Sequence, residues 1–369
     1  METRPKRFSS FVTLRGTENI CIHSPLHLGD SVMSLPFVQS LRTHFPQARI
    51  TVISKKELAG LWKNSSCVDS IHLCSSNPKG LAMLPKWLKK SKFDASILLA
   101  TGEDVARAHF QANVPLRIGH DFWQRAPFLT HFISTNGYPT DPNLVRRHKV
   151  QNYLDLLKIF SIKPLLSHPR IFPQRKKKEK MMEKLRTLSL DPDQKVIGIA
   201  PGTAAGPSTR WPAESFRRLT VRLAKKIHGH KIVLLGSMGD WLLSGSSFDR
   251  FNSKRIINQM GRTNMDELIE WILQCHLVVA NDSGISNLSN ALGVPTITLF
   301  GSSSPVWTGP LDSRSKVISS SLPCSPCFEP VCPLGHTRCL KEISVDQVFR
   351  SIVERLKTSD PFHQRRSGT

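Results

Sequence analysis

Short apolar segments alternate with amphipathic ones along the chain, and this alternation occurs twice. Strands are predicted at residues 20–23, 49–53, 70–73, 95–99, 196–200, 231–235, 255–257, 277–280 and 296–300. Helices are predicted at residues 32–45, 81–92, 212–226, 263–274, 284–292 and 344–356, and residues 62–66 are read as a loop. Strands that alternate with helices are typical of parallel sheets built from βαβ units. The sequence therefore predicts an α/β protein with two doubly wound halves.

The two halves indicate two domains. The chain has 369 residues, and single cores usually stop growing at about 250–300 residues. A stretch rich in proline, with a basic run at residues 175–178, separates the halves. We predict an N-terminal domain of residues 1–170, a linker of residues 171–190 with a helix at 179–188, and a C-terminal domain of residues 191–369. The simplest architecture is two Rossmann-like domains that face each other across a cleft, with ligands at the C-terminal ends of the strands.

The charge of the chain restricts its partners. The 51 Lys and Arg residues against 28 Asp and Glu residues give a formal charge of +23. This excess favours phosphorylated ligands, an anionic membrane surface or nucleic acid. Nucleic acid is disfavoured because aromatic residues make up only 7% of the chain and no RNA-binding signature is present. No secretory signal and no apolar run of about 18–20 residues is visible, which predicts a cytoplasmic protein.

The first candidate for chemistry is Asp30, in the Leu-Gly-Asp-Ser segment that joins the first predicted strand to the first predicted helix. Gly29 is expected to allow a tight turn there. Two interpretations of Asp30 stay open: a helix N-cap, or a general base that takes a proton from an acceptor hydroxyl. The two roles compete, because a cap bond and the positive end of a helix both make a carboxylate less basic.

Three turns of the second half follow predicted strands and indicate a donor site. Residues 201–212 form the longest of them, where backbone N–H groups and Arg210 are expected to hold phosphates. It is not a Walker motif, because Gly-Lys-Ser/Thr is absent. Ordinary loop or capping roles are the alternative at each turn. The candidate donor-binding residues are Gly29, Gly202, Thr203, Thr209, Arg210, Asp240, Asp282, Ser283, Gly284 and Asn287.

The positions of the turns suggest which part of a donor each residue binds. Asp240 follows a strand at the distance at which an acid can hold ribose hydroxyls. The turn at Asp282, Ser283 and Gly284 is expected to form an anion nest, and Asp282 to bind a sugar hydroxyl. Together the turns predict a nucleotide diphosphate held by dipoles and arginine, without a metal ion.

The order of these motifs resembles the lipopolysaccharide heptosyltransferases of glycosyltransferase family 9. The resemblance rests on the Leu-Gly-Asp turn, residues 201–212, Gly236-Ser237, residues 281–284 and Gly293-Val294-Pro295, and it extends over about residues 18–355. The Gly-Pro-x-x-Arg-Trp-Pro form of residues 206–212 is most similar to the heptosyltransferase II branch, which adds the second heptose of the inner core.

The resemblance implies a GT-B fold and an inverting transfer from ADP-heptose with no cofactor. The acceptor is then an anionic lipopolysaccharide precursor at the cytoplasmic face of the inner membrane. The family's base corresponds to Asp30, and its donor-site turn to Asp282, Ser283 and Gly284. The sequence departs from the family at two positions: Thr209 stands where a Lys is usual, and Asn287 stands where a His is usual.

The helix predicted at residues 81–92 is basic and amphipathic. Its lysines and those flanking it are Lys79, Lys86, Lys89, Lys90 and Lys92. Such a helix either lies on an anionic leaflet or packs its apolar side on the sheet with solvated lysines outside. We expect the apolar side chains to pack and the charge to serve the membrane.

Residues 324–339, called the Cys-rich segment below, contain Cys324, Cys327, Cys332 and Cys339. A structural metal ion, thiols without a metal, and a redox role all stay open. Relatives that modify autotransporter proteins use such a segment to bind iron, which makes transfer to protein serines a rival function. A catalytically inactive binding module is a further rival, because Thr209 and Asn287 depart from the family pattern.

Overall fold

The protein is described by a computed structural model over residues 12–14, 18–75, 77–135, 146–172, 194–244, 248 and 254–358. The chain divides into two compact units, unit 1 (Met1–Pro173) and unit 2 (Gln174–Thr369). The helix predicted at residues 179–188 and most of the predicted linker lie outside the described residues.

Unit 1 contains a parallel sheet of six strands. The strands are β1 (Asn19–His23), β2 (Arg49–Ser54), β3 (Ser70–Leu73), β4 (Ala95–Leu98), β5 (Leu116–His120) and β6 (His131–Ile133). They lie in the order β3-β2-β1-β4-β5-β6, and every neighbouring pair is parallel. The strand order reverses direction between β1 and β4, and doubly wound sheets bind ligands at the carboxyl ends of the two strands at such a switch point.

The helices of unit 1 cover this sheet. They are α1 (Leu28–His44), α2 (Ala59–Asn64), α3 (Pro78–Ser91), α4 (Glu103–Gln111) and α5 (Val150–Asp155), with short 3-10 turns at Lys56–Leu58, Phe122–Gln124, Ala126–Phe128 and Leu156–Phe160. The predicted loop at residues 62–66 is wrong for residues 62–64, which belong to α2, where Trp62 is fully buried. In α3, Leu84 and Leu88 are buried and Trp87 stacks on His72 with ring centroids 3.6 Å apart. The apolar side of α3 therefore packs within unit 1, as expected.

Unit 2 contains a second parallel sheet of six strands. The strands are β7 (Lys195–Ala200), β8 (His230–Leu234), β9 (Ile256–Asn258), β10 (Cys275–Asn281), β11 (Thr296–Phe300) and β12 (Lys316–Ser319). Their order is β12-β11-β10-β7-β8-β9, with every neighbouring pair parallel. The switch point lies between β7 and β10, so the predicted donor turns at residues 201–212 and 281–284 both leave the sheet there.

The helices of unit 2 pack on this sheet around Trp211, which is fully buried. They are α6 (Ala213–Lys226), α7 (Met238–Ser244), α8 (Met265–Gln274), α9 (Gly284–Ala291), α10 (Pro305–Thr308), α11 (Arg338–Lys341) and α12 (Val345–Thr358), with a 3-10 turn at Pro207–Thr209. The capping box of α8 consists of Asn264 and Glu267, so the helix begins two residues after its predicted start at residue 263. At the start of α12 the Gln347 N–H donates to Ser344 Oγ over 3.1 Å.

Within the described ranges, no helix has the length and apolar character needed to cross a bilayer.

Candidate functional site

Asp30 lies in the first turn of α1 and is not its N-cap. His27 occupies the N-cap position, and no side chain makes a capping hydrogen bond there. The N-cap interpretation of Asp30 is therefore wrong. The expected tight turn at Gly29 is also wrong, because Gly29 is the second residue of α1 and its φ is not positive. The helix begins at Leu28, four residues before the predicted start, because the polar Gly-Asp-Ser segment is accommodated in its first turn.

The Asp30 carboxylate forms an ion pair with Lys149. The Lys149 Nζ contacts Asp30 Oδ1, and the two side chains are 18% and 25% exposed. Lys149 stands at the N-cap position of α5, far along the chain from α1. Within the described residues this is the one ion pair of the Asp30 side chain, and it holds the carboxylate from outside α1.

The ion pair lies in the wall of a cavity of about 140 Å³ at the β1–β4 switch point, called the Asp30 cavity below. The lining residues are Pro25, Leu26, His27, Asp30, Leu99, Ala100, Thr101, His120, Phe122, Lys149, Asn152 and Tyr153. They come from the segments that follow β1, β4 and β5 and from α5. A carboxylate at this position, next to aromatic and polar walls, suits a general base acting on a hydroxylated ligand.

His120 contributes a neutral ring to the Asp30 cavity. Its ring stacks on Phe122 with centroids 5.0 Å apart. Burial lowers the pKa of His120 to about 4, and the Arg125 guanidinium acts in the same direction. The imidazole is therefore uncharged at neutral pH.

Arg125 joins the strand ends beside this cavity by hydrogen bonds. Its side chain is fully buried and donates hydrogen bonds to the carbonyls of His120, Ala100 and Leu98. Burial lowers the pKa of Arg125 to about 10, so the guanidinium stays charged at neutral pH. A buried cation that joins β4 to β5 was not predicted, because neither strand end carries a sequence motif.

In unit 2, hydrogen bonds join the two turns at the β7–β10 switch point. The Thr203 hydroxyl donates to the Asp282 carbonyl over 3.2 Å. Asn281 extends the link: its Nδ2 donates to the Pro201 carbonyl over 2.7 Å, and its Oδ1 accepts from the Trp211 N–H over 2.9 Å. The structure thus brings Gly202, Thr203 and Asp282 to one edge of the sheet.

The side chains of Thr209 and Arg210 bond to backbone carbonyls of the 201–212 turn, to which both residues belong. The Thr209 hydroxyl is buried and donates to the Gly206 carbonyl over 2.9 Å. The partly exposed Arg210 guanidinium donates from Nη2 to the Thr203 carbonyl over 3.2 Å. Thr209 therefore stabilises the turn from inside, while Arg210 keeps a cation beside its backbone.

Asp240 packs directly over Gly202. Its carboxylate accepts hydrogen bonds from the N–H and the hydroxyl of Ser237, both over 2.8 Å. A Cβ atom at residue 202 would overlap this carboxylate, so only glycine leaves room for it. Asp240 thus lies against the turn after β7, although it belongs to α7, the helix that follows β8.

The third turn begins helix α9. Ser283 is its N-cap and accepts from the Ser286 N–H over 3.5 Å, which agrees with the capping alternative for this residue. Gly284 is the first helical residue, and Asn287 Nδ2 donates to the Ser283 carbonyl over 3.2 Å. Asp282 Oδ2 accepts from the Thr308 hydroxyl over 2.9 Å. The positive end of α9 thus lies beside the 201–212 turn, which favours an anion there.

The Cys-rich segment forms hydrogen bonds with the 201–212 turn. The Ser208 N–H donates to the Pro330 carbonyl over 3.2 Å, and the Ser208 hydroxyl donates to the Glu329 carbonyl. Gly206 has φ +117° and ψ 171°, and a Cβ there would meet the Pro330 backbone. No motif in the sequence predicted this contact.

The four cysteines of the Cys-rich segment are free thiols. Burial raises the pKa of Cys339, whereas hydrogen bonds from backbone groups, that of Thr337 first, lower the pKa of the half-buried Cys332. Among the described residues, which include this whole segment, no three His, Cys, Asp or Glu side chains are arranged to hold a metal ion. The metal, thiol and redox interpretations of the cysteines stay predictions.

Two doubly wound units, with a carboxylate in a cavity of one and a helix N-terminus beside a strand-end turn in the other, are consistent with a glycosyltransferase that uses a nucleotide sugar. The model of glycosyltransferase family 9 (heptosyltransferase) matches residues 81–338. The chain belongs to this family.

Individual relatives agree with this assignment. The chain is 27% identical over 355 residues to lipooligosaccharide heptosyltransferase 2 of Campylobacter jejuni, and the alignment covers 92% of this chain and 99% of the relative. Its fold matches E. coli ADP-heptose LPS heptosyltransferase II with a TM-score of 0.76 and 23% identity, over 93% and 99% of the two chains. It also matches a family 9 glycosyltransferase of Veillonella parvula with a TM-score of 0.80 and 22% identity, over 95% and 100% of the two chains. The predicted GT-B fold is confirmed.

Proposed function

We propose that the chain transfers heptose from ADP-heptose to the inner core of a lipopolysaccharide precursor, with inversion and without a metal ion. The relatives named heptosyltransferase 2 support the sugar and the acceptor. The observation that carries the proposal is the Asp30 carboxylate in the wall of a cavity at the switch point of unit 1, paired with Lys149 and making no capping bond.

In the proposed reaction Asp30 acts as the general base. The carboxylate takes the proton of an acceptor hydroxyl, and the oxygen forms a bond to the anomeric carbon of the donor. The bond from that carbon to the diphosphate breaks, and ADP leaves with the electron pair. A positioned base typically contributes about 10²–10⁴-fold in rate. Lys149 holds one carboxylate oxygen of Asp30, so that the other is presented to the hydroxyl.

Unit 2 supplies the donor site in this proposal. Backbone N–H groups of residues 202–206, the Arg210 guanidinium and the N-terminus of α9 stabilise the charge that develops on the diphosphate. Asp240 and Asp282 are the candidates for the ribose and sugar hydroxyls. Thr209 and Asn287 act indirectly, because their side chains bond to the backbone of the turns that hold the ligand.

The experiment is a transfer assay with purified protein, a panel of nucleotide sugars and a defined core acceptor that ends at the first heptose. We expect ADP release and a product one heptose larger with ADP-heptose, and neither with UDP- or GDP-sugars. Transfer to a serine-rich protein acceptor in place of the lipid would favour the rival function. Donor binding without transfer to any acceptor would favour an inactive binding module.

We further propose that the protein works at the cytoplasmic face of the inner membrane and contacts it through α3. Lys86, Lys89 and Lys90 are exposed, while the apolar side of α3 is packed inward. Attraction to anionic lipid contributes about 1 kcal/mol per basic residue near the surface.

The variant Lys89→Glu/Lys90→Glu should weaken binding to vesicles that contain anionic lipid by more than tenfold. The matched control is Lys225→Glu/Lys226→Glu, which alters two exposed lysines of α6 in unit 2. Equal losses in the two variants would mean that net charge, and not α3, determines binding.

A further inference from the structure

Two of the side chains that line the Asp30 cavity each carry a buried polar atom that the protein itself does not satisfy. Within the described residues, His120 Nε2 and Asn152 Oδ1 have no hydrogen-bond partner. The two side chains are 4% and 5% exposed, and both line the cavity that holds Asp30. Buried polar atoms are almost always paired, so two unpaired ones in a single cavity wall indicate a ligand that supplies the partners.

Both atoms are hydrogen-bond acceptors. An amide oxygen only accepts. His120 is neutral, and its ring makes a hydrogen bond with the backbone of Asn152. We assign the proton of the neutral ring to Nδ1, which leaves a lone pair on Nε2. The missing partners are therefore donors, and hydroxyl groups meet this requirement without adding charge.

The size and walls of the cavity suit a sugar ring. Its volume of about 140 Å³ is close to that of a protein cavity of about 150 Å³ that accepts a six-membered ring. Phe122 and Tyr153 provide aromatic surface for the C–H groups of such a ring, and Lys149 adds a cation.

We propose that His120 and Asn152 select the acceptor. They accept hydrogen bonds from two hydroxyls of the same sugar ring whose reacting hydroxyl Asp30 deprotonates. This rests on the proposed function and names the residues that recognise its acceptor. The two side chains make no contact with the reacting atoms. They fix the ring so that one hydroxyl, and not its neighbours, meets the carboxylate.

The test uses acceptors that each lack one hydroxyl of the terminal sugar. Wild-type protein should lose about 5- to 100-fold in kcat/KM with two of these deoxy acceptors, because each leaves one buried acceptor atom unpaired. His120→Asn removes Nε2 but keeps an N–H near the position of Nδ1. It should raise the acceptor KM by a similar factor, keep the donor KM, and no longer distinguish one of the two deoxy acceptors. His120→Gln, which keeps an acceptor near Nε2, should restore part of the discrimination.

The control variant is Gln39→Met, which removes another buried unpaired oxygen of unit 1 that does not line the cavity. It should leave the acceptor KM unchanged. If His120→Asn still distinguishes every deoxy acceptor as the wild type does, the proposal is overturned.

Binding of the acceptor oligosaccharide, measured by calorimetry without donor, does not depend on turnover. Weaker binding to His120→Asn than to the wild type supports the proposal even where no transfer occurs, and absence of transfer then contradicts the proposed function alone. Equal binding to both proteins overturns the proposal whether or not transfer occurs.

Discussion

Replacement of Gly206 by alanine tests whether the Cys-rich segment determines the shape of the 201–212 turn. Gly206 has φ +117° and ψ 171°, a region that is essentially restricted to glycine. An added Cβ would also lie 2.9 Å from the Cβ of Pro330 and closer still to its carbonyl oxygen. Since the atoms it meets include backbone, the contact cannot be relieved by rotating a side chain.

The expected magnitude follows from these two contributions. The backbone conformation costs about 1–3 kcal/mol for alanine, and overpacking against a fixed neighbour costs about 1–3 kcal/mol more. Gly206→Ala should therefore lower the free energy of unfolding of unit 2 by about 2–6 kcal/mol. Gly229 is the matched control, because it has φ +76° but no atom within 4 Å of an added Cβ. Gly229→Ala should cost only about 1–2 kcal/mol.

Urea unfolding of the two variants measures this difference, and ADP binding measures its effect on the turn. Gly206→Ala should also weaken ADP binding, because Ser208 would lose its bonds to Glu329 and Pro330 when the two segments separate. Equal stabilities of the two variants, within about 0.5 kcal/mol, would refute the contact between Gly206 and Pro330. Loss of stability without weaker ADP binding would refute the link from the Cys-rich segment to the donor turn.

Two further predictions concern unit 1. Lys149→Met should lower kcat about 10- to 100-fold because the Asp30 carboxylate loses the contact that positions it, and Lys149→Arg should lower kcat by less. The rate of ADP release measures both variants, and a normal kcat for Lys149→Met would contradict the positioning role of Lys149. Burial lowers the pKa of His23 to about 3 and that of His120 to about 4, from 6.5. Below pH 6.5 the unfolded chain therefore binds protons that the folded chain does not, and the free energy of unfolding falls as pH drops toward 4, by about 1.4 kcal/mol per pH unit for each histidine. His120→Asn should remove about 2 kcal/mol of the loss between pH 6.5 and pH 5, and an unchanged dependence in urea unfolding would contradict the buried neutral ring.

Strands that are buried on both faces were predictable from sequence. The segments of β1, β7 and β11 are rich in β-branched and apolar residues, and their strands lie within one residue of the predicted bounds. β5 was missed because Arg117 and Gly119 interrupt its apolar run. Arg117 is tolerated there because its side chain bonds to the carbonyls of Val114 and Phe128. That compensation depends on tertiary structure and leaves no local signal.

The candidate site was only partly predictable. The turns at Thr203 and Asp282 were found because strand-to-helix turns at a sheet edge have a recognisable composition, and the structure joins them. Lys149 and Asn152 were missed because their relation to Asp30 depends on how α5 packs beside α1. The N-cap interpretation of Asp30 failed because the helix starts two residues before it.

The most direct test of the central claim is the rate of heptose transfer by Asp30→Asn. The amide keeps the size of the side chain but cannot take a proton, so kcat with ADP-heptose and the core acceptor should fall by about 10²–10⁴-fold. Asp69→Asn is the matched control, because Asp69 is also ion-paired to a basic residue of unit 1, Arg42, but does not line the Asp30 cavity. Its kcat should stay near that of the wild type. A kcat of Asp30→Asn within a few-fold of the wild type, in a folded protein that still binds ADP, would contradict the claim that Asp30 is the base.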